Sequence, residues 1–335
     1  MEENNISDQF LILKFAEAPK PLQIEKKNSG WVKFGNDNKY PEYLLSLFEQ
    51  SSKHASLCQQ KAVYVTGDGW VSEDENDLYA KAFIEKVNPK ETLLDITRKC
   101  DLDTEIYNGY YLEIHWGKLT KTIAAIYHLD YNKVRTNKDN TQFWVADEWK
   151  EHSQTETKSY LAFNPEIREG VQILYVKQYS PGKRPYAIPN YIAGINYIQS
   201  DIEVSKHVLG NAATGFTPSK LITLVNGEPP TNEAKRNIER KFEEKFTGSN
   251  GKKFVLEFVQ NKEKQTLIQD LGQSDLTKED FEHVNKLISD EILFGHQIMS
   301  PILFGIKEQG QLGGRSEIKQ AYEIFKNTYA TKAQQ

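Results

Sequence analysis

The sequence predicts an α+β fold, and three observations predict it. Apolar residues recur at three- and four-residue steps from about Tyr40 to Leu102. The period changes to two between about Thr104 and Tyr179. Two long helical stretches, about 190–209 and 278–299, then bracket a small module of strands and one helix. Periods of 3.6 and 2.0 are the signatures of a helix face and of a half-buried strand.

Taken in order, Phe10 to Phe15 is a short strand candidate, and Ala18 to Pro21 and Lys26 to Gly30 read as an extended arm. The turn residues Gly35 to Asn38 precede Pro41, which suits the first turn of a helix carrying Leu44, Leu45, Leu47 and Phe48. Further helices are expected over roughly 52–64, 74–87, where Asn88-Pro89 is the stop, and 92–102. Strands are expected over Tyr110–Trp116, Lys121–His128, Lys133–Thr136, Gln142–Trp149, Ser159–Phe163 and Val171–Gln178, forming an antiparallel sheet with one solvated face.

The proline-punctuated joint Pro181 to Pro189 leads into a helix bearing Ile192, Ile195, Ile198 and Ile202. After Gly215-Phe216 the insert reads strand (220–225), turn, helix (231–246, with Ala234, Ile238, Phe242 and Phe246 four apart), turn, strand (254–259, with Phe254 and Phe258). A third strand is expected over 265–268. Thr277 caps the next helix, and Glu279 and Asp280 lie in its first turn, where the helix dipole favours acids. Its face carries Phe281, Val284, Leu287, Ile288, Ile292 and Phe294, and Ser300-Pro301 is its expected stop. The segment Lys307-Glu308-Gln309-Gly310-Gln311-Leu312-Gly313-Gly314-Arg315 has three glycines and a charged tip. It reads either as a surface hairpin or as a loop that touches something passing by. A last helix, from Ser316, carries Ile318, Ala321, Tyr322, Phe325 and Tyr329.

With 42 basic and 47 acidic side chains the formal charge is -5, which argues against gripping nucleic acid over a broad basic surface but not against letting a polyanion slide past. Cys58 and Cys100 show no metal spacing and read as buried small groups in a reducing compartment. No apolar run is long enough for a membrane span, and Met1 to Asp8 resembles neither a secretory signal nor a transit peptide.

The chemical constellations are weak. Gly248-Ser249-Asn250-Gly251-Lys252-Lys253 lacks the spacing of a phosphate loop and reads as a hairpin turn. Asp101, Asp103 and Glu105 alternate at an expected strand start, which reads either as metal-binding carboxylates or, better, as a solvated strand edge. His115 and His128 are placed across strands without a third ligand. His283 and His296 lie too far apart on one helix to cooperate. The aromatics from Tyr107 to Tyr179 serve either sheet packing or a stacking face for a sugar or base. No catalytic residue, cofactor site or metal site is expected.

The order helix, small α/β insert, helix, broken joint, glycine loop, helix resembles the bacteriophage portal protein family. Local strings add to it. Trp31-Val32-Lys33-Phe34-Gly35 through Tyr40-Pro41-Glu42-Tyr43-Leu44 is similar to the N-terminal segment of portals from phages and prophages of Bacteroidetes-type hosts. Tyr186–Tyr191, Gly215-Phe216, and Met299 to Ile306 with Gly310, Gly313 and Gly314 are similar to the approaches to the family's clip and channel loop. The resemblance implies a wing over 1–189 (its sheet about 104–180), stem helices over 190–214 and 275–300, a clip over 215–274, and a channel loop with return helix over 301–335. It places Ile195, Ile198, Ile202, Val284, Ile288 and Ile292 in the stem, Phe216, Ile238, Phe242, Phe254 and Phe258 in the clip, and Lys307 to Arg315 facing DNA.

The family's usual helical crown is missing or truncated, because the sequence stops inside a helical pattern at Ala330 to Gln335. The implied partners are double-stranded DNA passing non-specifically, the terminase large subunit, a head-tail connector or neck protein, the major capsid protein, and further copies in a ring of twelve. No membrane is involved. The implied place is the virion at the capsid vertex, after assembly in the host bacterial cytoplasm. Twelve copies would carry about -60, a tunnel that repels phosphate and favours passage over capture. The competing expectation is a monomeric ligand-binding module or hydrolase that uses the aromatic sheet.

Overall fold

A computed structural model describes residues 19–25, 30–149, 156–214, 220–224, 254–258, 278–298, 300–304 and 315–334, with part of 231–240. The fold is α+β, in two compact units: residues 1–196 with 292–335, and residues 197–291. Among the described residues no helix is long and apolar enough to cross a membrane.

The first unit, the body, begins with a hairpin of β1 (Gln23–Glu25) and β2 (Val32–Phe34). Helices α1 (Tyr40–Gln50), α2 (Ser52–Thr66), α3 (Leu78–Glu85) and α4 (Leu93–Tyr107) follow. Thr92 opens α4 with a capping box: its hydroxyl accepts from the Asp95 amide at 3.1 Å, and the Asp95 carboxylate accepts from the Thr92 amide at 3.0 Å. Left-handed Asn108 closes it. The helix therefore runs through Asp101, Asp103 and Glu105, which are helical and not at a strand start. A good cap and the buried spacing Ile96, Cys100, Ile106 outweigh the alternation of their charges.

The sheet comprises β3 (Gly109–Trp116), β4 (Ile123–Leu129), β5 (Val134–Thr136), β6 (Gln142–Val145), β7 (Lys158–Ala162) and β8 (Val171–Lys177). Its order is β4-β3-β8-β7-β6-β5. The sheet is mixed, since β7 pairs parallel with β8 while the other pairs are antiparallel. Leu112, not His115, lies opposite His128.

Both faces of β3 are covered, contrary to the expected solvated face. Tyr111 stacks on Tyr175 at 4.2 Å and meets Tyr131 and Phe143, while Tyr107 stacks on Tyr131 at 4.4 Å. On the other side, Tyr110, Leu112 and Ile126 pack against buried Val87, Ile96 and Cys100. Tyr107, Tyr111, Tyr131 and Phe143 are thus core and open no stacking face to a sugar or base.

The string from Trp31 to Leu44 is a plug for this core. Phe34 stacks on Tyr186 at 4.6 Å. Arg135 is fully buried; its Nε donates to the Asn38 side chain at 2.9 Å, its other donors reach the carbonyls of Asn38, Asn132 and Val134, and the Glu42 carboxylate lies 3.4 Å away. A buried guanidinium is tolerable only with its donors satisfied.

A 3₁₀ turn at Asn190–Gly194 leads into α5 (Ile195–Thr214). In the second unit, β9 (Lys220–Leu224) pairs parallel with β10 (Phe254–Phe258), as a crossover through the intervening helical residues requires. Helix α6 (Lys278–Gly295) ends five residues before Ser300. Its C-terminus has a Schellman pattern: Gln297 is left-handed (φ 58) and the Ile298 amide donates to the Leu293 carbonyl at 3.0 Å. That local cap, not the proline, ends the helix. A short 3₁₀ turn (Pro301–Phe304), α7 (Arg315–Phe325), a π turn (Lys326–Ala330) and α8 (Thr331–Gln334) complete the body.

Candidate functional site

The site is built on α2. Its buried stripe is His54, Leu57, Cys58, Lys61, Ala62, Val65 and Thr66, the spacing of a core-facing helix. His54, Cys58, Lys61 and Thr66 bring polar or sulfur groups into that core, and a buried polar group needs a partner. Most of their partners come from distant segments.

His54 Nδ1 lies 2.8 Å from His296 Nε2, directly after the end of α6. Cys58 Sγ lies 3.8 Å from His54 Nδ1. The Tyr191 ring stacks on His296 at 5.1 Å and meets His54 edge-on at 4.5 Å, while its hydroxyl donates to the Ile106 carbonyl at 2.7 Å. Burial, then the Lys61 charge, holds His54 down to about 3, and burial, then His54 and Lys61, holds His296 well below its ordinary value. Both imidazoles are therefore neutral at physiological pH, and one N–H fills the other's lone pair. Burial and Glu105 push the Cys58 thiol up.

The same point is where the ends of the two long helices meet. A Cβ added to Gly295 would lie 3.3 Å from the Gly194 Cα and 3.8 Å from the Tyr191 carbonyl oxygen. Glycine on both sides allows backbone-to-backbone approach.

One turn further along α2, Lys61 Nζ lies 2.6 Å from Glu105 Oε2, with both side chains buried. The Tyr329 hydroxyl donates to the other Glu105 oxygen, and its ring lies 4.2 Å beneath Lys61. Thr66 donates to Asp101 at 2.5 Å, Tyr64 donates to the Leu303 carbonyl at 3.0 Å, and Gln334 donates to the Val65 carbonyl at 2.6 Å. A groove of about 630 Å³ runs beside these contacts, with Asp101 and Glu105 on one wall and Leu112, Ile126 and Val176 on another. Burial pushes the Asp101 carboxyl up to about 6, against the lowering bond from Thr66, and Glu105 adds to the rise.

Of the residues singled out in the sequence, Ile195, Ile198, Ile202, Ile288 and Ile292 are buried. Val284, Leu287 and Phe294 are exposed, so the apolar face of α6 is narrower than its spacing suggests. Ile238 is half-buried. Phe254 and Phe258 lie in β10, and Arg315 begins α7. Phe216, Phe242, Lys307, Glu308, Gln309, Gly310, Gln311, Leu312, Gly313 and Gly314 lie outside the described residues, as do the strands expected over Phe10–Phe15 and 265–268. His128 bonds Asp103 at 2.8 Å, and His115 bonds Glu113 at 2.5 Å. The pairing of His54 with His296 escaped the sequence reading; the one local signal was His54 and Cys58 four residues apart on a helix.

No family model and no curated protein matches the sequence. Solved structures do match. A chain in the neck of an empty gene transfer agent particle, computed with C6 symmetry, aligns at a TM-score of 0.53 and 12% identity over 85% of this chain and 76% of that one. A chain in the virion of a native gene transfer agent particle aligns at 0.54 and 12% over 87% and 76%. A chain in the neck of the native particle, computed with C12 symmetry, aligns at 0.54 and 11% over 85% and 76%. At such identity the likeness is one of fold, and it extends over most of both chains.

Proposed function

We propose that this chain is a structural subunit of a portal-type ring at the vertex of a phage or phage-like capsid, through which double-stranded DNA passes. The observation that carries the reading is the chain path. One long helix leaves the body beside Gly194, a separate compact unit follows, and a second long helix returns to the body at Gly295, against Gly194. The fold shared with chains of gene transfer agent necks and virions supports it.

In this reading residues 1–189 are the wing, 190–214 and 275–300 the stem, 215–274 the clip, and 301–335 the channel loop and return helix. Ile195, Ile198, Ile202, Val284, Ile288 and Ile292 belong to the stem, and Phe216, Ile238, Phe242, Phe254 and Phe258 to the clip. Lys307 and Arg315 make weak sliding phosphate contacts, repeated around the ring by cyclic symmetry. The role is non-enzymatic, and the partners are the packaging terminase, a neck protein and the major capsid protein.

Native mass measurement and negative-stain microscopy of purified protein test this. Closed rings of about a dozen copies are expected. A strict monomer at high concentration and at every salt level would overturn the reading.

A further inference from the structure

We propose that His54, Cys58 and His296 form a binding site for a thiophilic transition-metal ion, best suited to Zn²⁺, which ties the residue following α6 to α2. All three side chains are buried, and their donor atoms lie within 4.8 Å of one another. Two imidazoles and one thiolate are a borderline-soft donor set of the kind that selects zinc or copper over calcium or magnesium.

The spacing is close to what a tetrahedral ion needs. Zinc–nitrogen bonds near 2.05 Å and a zinc–sulfur bond near 2.3 Å place nitrogen ligands about 3.3 Å apart, and nitrogen and sulfur about 3.6 Å apart. The observed separations are 2.8 Å between His54 Nδ1 and His296 Nε2, and 3.8 Å between His54 Nδ1 and Cys58 Sγ. The rings must part by about half an ångström, and Cys58 Sγ, within 4.8 Å of the His296 nitrogen, must close on it by no more than about 1.2 Å. His54 and Cys58 stand one turn apart on a rigid helix, the arrangement that lets two residues of one helix share an ion. Tyr191 buttresses both rings, as outer groups do around metal ligands.

The proton balance is simple. The Cys58 thiol proton leaves to solvent as the sulfur–metal bond forms. The proton held between the rings moves to an outer ring nitrogen, either His54 Nε2 or His296 Nδ1, freeing both inner lone pairs. One proton is released per ion bound. The Lys61 charge, which bears on both imidazoles, is paired with Glu105 at 2.6 Å, and that carboxylate offsets its repulsion of the ion. Three protein donors leave the fourth position to water.

The test uses the full chain, refolded with excess Co²⁺ or Zn²⁺ and freed of loose metal by gel filtration. The expected result is about one ion per chain by elemental analysis and, with Co²⁺, a near-ultraviolet thiolate-to-cobalt band with visible tetrahedral bands. Cys58→Ser abolishes the thiolate band, Cys100→Ser leaves it unchanged, and His296→Gln weakens Co²⁺ binding at least about tenfold, the smallest loss typical even of outer partners. Wild-type protein that folds with less than about a tenth of an ion per chain and shows no thiolate band overturns the site, whatever the variants do. A band that survives Cys58→Ser overturns it as well. None of these outcomes depends on ring formation.

Discussion

Lys61 and Glu105 sit where a charge is costly, each among apolar neighbours of the α2–α4 contact. Each is satisfied by the other, with Tyr329 completing the carboxylate. Such a pair adds little net stability over an apolar pair but makes the arrangement specific, because a misplaced partner strands a buried charge. Asp101 is different: its hydrogen-bond partner is the Thr66 hydroxyl rather than a cation among the described residues, and burial holds its carboxyl up at about 6 against an ordinary 3.8. Between those values the folded chain keeps a proton that the unfolded chain has released. Its stabilising contribution is therefore full below about pH 3.8 and is lost as pH rises through 6. Asp101→Asn, which keeps an acceptor for Thr66, should gain roughly 1–2 kcal/mol at pH 8, after allowance for partial solvent screening, and nothing at pH 3.5. Urea midpoints for the two proteins against pH check this, and parallel curves would refute it.

At the scale of elements, the contact of Gly194 with Gly295 sets two effects against each other. Gly295→Ala gains about 0.5–1 kcal/mol of helix propensity but forces the neighbouring backbone to give by a few tenths of an ångström, so its net effect should be near zero. Gly295→Val adds bulk without that gain and should cost about 1–3 kcal/mol. Thermal unfolding ranks the pair, and a valine variant as stable as wild type would show that the approach is slack.

Elements with a sustained period were legible in the sequence: the helices beginning near Tyr40 and Ser52, the strands between Gly109 and Lys177, and the strand–helix–strand order of the insert, though not its parallel pairing. What escaped has no local period. Three-residue β1 and β2 are too short to alternate, and the parallel register of β7 on β8 is a tertiary fact. Gln297 closes a helix from a left-handed conformation usually left to glycine. The candidate site was least legible, because His54 and His296 are 242 residues apart and each alone looks like an ordinary core histidine.

For the whole molecule, the Gly194–Gly295 contact makes a strong statement about independence. The body's own ends are already in contact where residues 197–291 leave and return. Replacing 197–291 by a short glycine-serine linker should therefore yield a soluble body with a cooperative melt and near-native ellipticity per residue. A molten or insoluble product would mean that the second unit is needed to hold the body together. The docking of the final helices onto α2 also bears on biosynthesis. The Val65 carbonyl and the inner edge of His54 meet partners 269 and 242 residues later. While the ribosome is still at work, the early helices must wait with a sticky, half-finished flank, prone to wrong associations. The flank of α2 is sealed only once residues 296–334 have been made and have folded back onto it.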